Sequence, residues 1–193
     1  MSVSAAGSVR SQLRQLAPWL VVSLAGWAVL LSMRRQGTLA DSAPSWQRSV
    51  STLREGEQTR YRQVRAAVLA LEKRRSGAAW PEVEALAAEQ VSPFDEAGVR
   101  WVKRQHGVYV NYLGTPRAPE QWRWLVLFIE PSPTAFKEPP APNDEEHHTL
   151  GDGTALHVTV WTAPNEGPLP DQVLAFPVAD GWVEVRSNSF TRR

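Results

Sequence analysis

The segment Gln15–Met33, QLAPWLVVSLAGWAVLLSM, most constrains what this chain can fold into. It carries no charge and is fenced by Arg14 on one side and by Arg34 and Arg35 on the other. As a helix it would be roughly 28 Å long, close to the hydrocarbon thickness of a bilayer. A single helix satisfies its own backbone polar groups in hydrocarbon. A cleaved signal peptide would have a shorter apolar run and a small-x-small site, whereas this run ends in Leu-Leu-Ser-Met-Arg-Arg. A buried helix of a soluble domain would show a polar face, and between Pro18 and Met33 only Ser23 and Ser32 are polar. The expectation is an uncleaved transmembrane anchor at 15–33. A short tail at 1–14 precedes it, a linker at 34–44 follows, and one domain occupies 45–193. The plan of short tail, single span and large domain places the N-terminus inside and the domain outside. That makes a single-pass membrane protein with its domain on the outer side, its first partner being the lipid bilayer.

The residues beyond the anchor suffice for one domain with its own core. The chain has no cysteine, which excludes disulfides, thiolate zinc sites and cysteine nucleophiles. A net charge of +1 argues against a nucleic-acid partner. Charge is unevenly spread. Ser45–Arg75 holds eight basic residues against Glu55, Glu57 and Glu72, while Glu138–Val185 holds nine acids and no Lys or Arg. Either the acidic part docks on the basic part, or it attracts cations.

Apolar residues at Val50, Leu53, Tyr61, Val64, Val68 and Leu71 predict a long amphipathic helix over 45–75. Pro81 with Glu82 and Glu84 predicts a short helix running to about Glu89. The pattern then alternates. Strands are expected around 99–105, 108–114, 121–129, 154–162, 173–178 and 182–186, with turns at His106-Gly107 and Asp180-Gly181. The fold class is therefore α+β, with the membrane helix followed by two helices packed on a mainly antiparallel sheet of about five or six strands.

One cluster stands out for chemistry. Asp144, Glu145, Glu146, His147 and His148 precede Gly151-Asp152-Gly153 and His157. Imidazole with carboxylate is a normal ligand set for zinc and similar divalent ions. A hairpin through the glycines would bring His147 or His148 near His157. The candidate metal residues are His147, His148, His157, Glu146 and Asp144, with zinc or another divalent ion as the only cofactor suggested. No nucleophile–base set, phosphate loop or metalloprotease motif is present, so no catalytic residue is expected.

In layout the chain is similar to type IV pilins and pseudopilins, whose N-terminal membrane helix continues into a helix on an antiparallel sheet. It lacks their processing Gly and the acidic residue after it, since the corresponding place reads SVRSQLRQLAPWL. Two stretches together resemble another family. They run from Trp80-Pro81 through Pro93-Phe94 and Trp101 to Tyr112-Leu113-Gly114, and from Glu146-His147-His148 through Asp152-Gly153-Thr154 to His157 and Trp161. That family comprises uncharacterised bacterial single-pass envelope proteins whose genes accompany metal-uptake ABC transporters. The resemblance implies a non-enzymatic accessory role in acquiring zinc or a related metal, by ion binding or by transporter contact. It also implies His147, His148 and His157 as metal-handling residues. The alternative is a structural or assembly component of an envelope complex with the pilin-like layout.

Overall fold

The computed structural model describes residues 44–77, 79–132 and 143–187. Helix α1, Glu55–Arg74, buries Tyr61, Val64, Ala67, Val68 and Leu71, which recur every three or four residues and so form one stripe. Glu55 and Glu57 sit in its first turn and Lys73 and Arg74 in its last, each sign matching the helix dipole. The Glu57 carboxylate accepts the Arg54 N–H at 2.9 Å, satisfying a donor just ahead of the first turn. Arg75 turns extended and ends the helix. Helix α2, Val83–Ala88, is a short cover piece whose Leu86 is fully buried.

Seven strands follow in chain order: β1 Gln47–Ser49, β2 Val99–His106, β3 Tyr109–Pro116, β4 Arg123–Ile129, β5 His147–Thr149, β6 Ala155–Ala163 and β7 Val183–Arg186. They form one sheet in the order β1-β7-β6-β4-β3-β2, with β5 pairing the start of β6. All pairings are antiparallel except that of β1 with β7. The β2–β3 hairpin closes on the His106–Tyr109 pair, and Gly107 takes the left-handed conformation (φ 56°) that this tight turn needs.

Both faces of the sheet are apolar. On the first, Trp101, Val110, Tyr112, Trp124, Val126, Phe128, Val158 and Val160 pack under α1 and α2. The Trp80 ring lies 4.2 Å from that of Phe128, and Phe94 meets Trp101 edge-on at 5.0 Å. On the second face Leu113, Leu125, Leu127 and Trp161 pack with Leu174 and Trp182. The cover here is a strap, residues 164–182, with no strand and a single 3-10 turn at Pro177–Asp180. Outside its 3-10 turn the strap leaves peptide groups that it does not satisfy itself, and the sheet supplies partners. The Asn111 side chain, 0% exposed, donates to Leu174 O at 3.2 Å and accepts from Leu174 N at 2.6 Å. Arg123 donates to Asn165 Oδ1 at 3.1 Å, to Pro168 O at 3.2 Å and to Gly167 O. Arg104 donates to Asp171 O at 2.9 Å.

The expected architecture is corrected on several counts. Among the described residues the sheet has seven strands rather than about five or six, and its one parallel pairing is that of β1 with β7. The long helix does not begin at Ser45. Residues 47–52 instead form β1 and a 3-10 turn, because Gln47–Ser49 complete the edge beside β7. Residues 173–178 are strap rather than strand, since Leu174 covers a sheet face and the segment does not extend the sheet. Pro81 precedes α2 instead of opening it. The expected span at 15–33 lies outside the described residues, as do the tail and nearly all of the linker. Among the described residues no helix is long and apolar enough to cross a membrane, because α1 keeps a charged outer face.

Two substitutions test this packing. A Cβ on Gly114 would lie 2.7 Å from the Trp101 ring, so Gly114→Ala is expected to lower the unfolding free energy by roughly 1–3 kcal/mol in urea titration. Asn111→Ala leaves the Leu174 peptide groups buried without partners. It is expected to cost roughly 1–3 kcal/mol and to speed proteolytic nicking within 164–182.

Candidate functional site

The His/acid cluster lies where β5 meets β6. Register pairs His147 with His157 and His148 with Leu156. Adjacent strand residues point to opposite faces, so the two neighbouring histidines part company. His147 and His157 share the second face, their rings 5.0 Å apart. His148 turns to the first face and bonds through Nδ1 to Glu72 Oε1 on α1, both side chains being largely buried.

The acids are similarly committed. Asp144 accepts the backbone N–H groups of Glu146 and His147, both at 2.8 Å, and meets His147 Nδ1 at 3.0 Å. The Glu145 carboxylate binds the Tyr61 hydroxyl and the Ser187 N–H and hydroxyl, and its carbonyl accepts Arg65 Nη2 at 2.5 Å. Glu146 pairs with Arg186 Nη2 at 2.8 Å. Asp152 meets Arg75 Nη1 at 3.2 Å, and Arg75 also reaches Glu130 at 2.9 Å. The acidic segment therefore docks on the basic helix and the end of β7, latching residues 144–152 across the sheet.

Local electrostatics follow from this wiring. Burial pushes Glu146 upward, opposed by the Arg186 guanidinium. Burial also pushes Asp144 upward, but the hydrogen bonds it accepts from Glu146, His147 and the His147 ring outweigh that and hold it below its ordinary value. Burial raises Tyr61, and its bond to Glu145 raises it further. His157 is pushed down, first by burial and then by the neighbouring His147.

The metal-binding expectation is corrected here. Among the described residues no group of three or more His, Asp or Glu side chains converges as a metal site requires. His147, His157 and Asp144 share one neighbourhood, but His148 faces α1 and Glu146 is held by Arg186. The β5–β6 register decides this, because it places the adjacent histidines on opposite sides of the sheet. Sequence reasoning missed Glu72 as the partner of His148, and Tyr61 and Ser187 as partners of Glu145. Glu72 lies on α1 one residue from the buried Leu71, which marks it as near the covered side of the helix.

His157 gives the domain a pH dependence of definite sign. Its folded value lies below the unfolded 6.5, so in mild acid the unfolded chain takes up the proton first. Its contribution is intact above the unfolded value. It falls as pH drops through that value toward the folded one. Chemical denaturation between pH 7.5 and about 5 is expected to show stability falling with acid. In His157→Gln part of that slope should be gone.

No curated protein and no solved structure matches the chain. A sequence family described as a family of unknown function (DUF6162) matches residues 47–189, which span all seven strands and both helices, and the chain belongs to that family.

Proposed function

We propose that this chain is a non-enzymatic accessory protein of the bacterial envelope that works by contact with a partner protein, the partner being an uptake transporter for a metal. The resemblance to envelope proteins encoded beside metal-uptake ABC transporters suggests the setting. The observation that carries the contact role is the state of the polar side chains. Glu145, Glu146 and His148 are spent on latches to α1 and the end of β7, and Asp144 is tied to His147 within the loop. The strap, by contrast, leaves Phe176 72% exposed and Val178 46% exposed. Side chains consumed in holding a surface together suit a rigid contact module better than a site that must open to a substrate.

The pilin-like alternative is disfavoured by a specific feature. In that plan the long helix continues directly from an upstream one. Here β1 and a 3-10 turn stand immediately ahead of α1.

The test is growth in chelator-treated medium together with co-isolation of the tagged full-length protein. Deletion is expected to slow growth under metal limitation, and transporter subunits are expected to co-purify after mild cross-linking. A variant with His147→Ala and His157→Ala should restore growth as the parent does, because the role is contact. A deletion strain growing like its parent, with no transporter subunit co-isolated, would sink the proposal. Rescue that fails in a folded double variant would point back to the imidazoles.

A further inference from the structure

Strand β2 ends the sheet opposite β1, and its hydrogen-bonding pattern can be read from the hairpin. Arg117 N donates to Gly98 O at 2.9 Å, which fixes the bonded pairs as alternate residues beginning at Gly98. Arg100, Val102, Arg104 and His106 thus spend their main-chain groups on β3. Those of Trp101 and Lys103 point off the sheet, and no described residue bonds them. An edge of this length without proline or bulge is a template for another strand.

The edge is also charged. VRWVKRQH holds Arg100, Lys103 and Arg104 and no acid. Lys103 is occupied, donating to Trp80 O at 2.8 Å and pairing with Glu82. The two arginines share the other face of the strand. Arg100 is exposed, and Arg104 keeps a buried Nε without a hydrogen-bond partner. Beside them, Lys103–His106 and strap residues 171–173 line an open slot of about 610 Å³. A second copy of the chain fits poorly here. Two β2 strands paired about Val102 would set Arg100 against Arg104, and like charges directly opposite are destabilising.

We infer that the edge of β2 at Trp101 and Lys103 receives an extended acidic segment of a partner protein as an added strand, its alternate carboxylates meeting Arg100 and Arg104. The added main chain bonds Trp101 and Lys103, while side chains on the strap side enter the slot beside Arg104. Main-chain bonds supply affinity and the charge pattern supplies choice of partner. This surface rests on the contact role proposed above and names where that contact is made.

The probe is an alternating valine–glutamate peptide of about eight residues, enough to span β2 at ~3.3 Å per residue. Its control is the alternating valine–lysine peptide. With full-length protein, the glutamate peptide is expected to bind and to slow amide hydrogen exchange at Trp101 and Lys103 about tenfold or more. Affinity should fall about tenfold in Arg100→Glu with Arg104→Glu and should weaken with added salt. Arg104 also holds the strap, so Arg100→Glu alone is measured beside the double variant. It should lose several-fold on its own with exchange elsewhere unchanged. Equal binding of both peptides, or protection away from β2, overturns the assignment. Edge protection that rises with protein concentration in the absence of peptide overturns it in favour of self-pairing. Transporter co-isolation retained by the double variant would overturn only the edge. Co-isolation absent from the parent chain, with peptide binding intact, would overturn only the contact role.

Discussion

A sheet with apolar side chains on both faces has to be covered twice, and every other feature of this domain answers that requirement. Leaving either face wet would forfeit about 1.5–3 kcal/mol for each large apolar side chain. The first face is covered in the ordinary way, by an amphipathic helix whose backbone is self-satisfied. The second is covered by a strap, which brings leucine and tryptophan to the sheet together with unpaired peptide groups. Asn111, Arg104 and Arg123 exist on that face to receive them. Polar residues buried among aliphatics would be costly alone, and here each is matched to a backbone partner.

The same logic explains the acid-rich loop. Tyr61 and Arg65 project from α1 toward the loop that leads into β5, and Ser187 closes from beyond β7. Glu145 sits between them and ties helix, loop and sheet end together. Arg75 does the equivalent at the far end of α1, joining Glu130, Asp152 and, through a ring contact at 5.7 Å, Trp80. Some of the charges that look asymmetric along the chain are thus paired in space. The pairs with buried members matter most, since exposed ones contribute little. Removing one partner from them strands the other.

Function in such a domain falls to what the internal wiring leaves open. The two ends of the sheet differ in this respect. β1 is three residues long and parallel to β7, a poor template. β2 is eight residues long and basic. A basic edge guards against self-pairing and at the same time selects for an acidic strand, so one set of charges serves both ends.

The sequence by itself determined the helix stripe of Tyr61, Val64, Val68 and Leu71, the β2–β3 hairpin at His106-Gly107, and the strands around Leu125 and Val158. In each, side-chain period and local turn chemistry are strong enough to act without tertiary help. It also brought the pair His147-His148 near His157, because a hairpin through Gly151–Gly153 admits few registers, and left open which of the two faces His157. Tertiary structure alone decided that Gln47–Ser49 is a strand, since three residues carry no period and gain their form from pairing with β7. It alone turned 173–178 into cover, because an apolar run reads the same whether it extends a sheet or lies across one. And it alone dispersed the candidate metal residues. Ligand types are written in the chain, but which face each occupies follows from register, and which are free follows from partners such as Glu72 and Arg186 that lie far away in sequence.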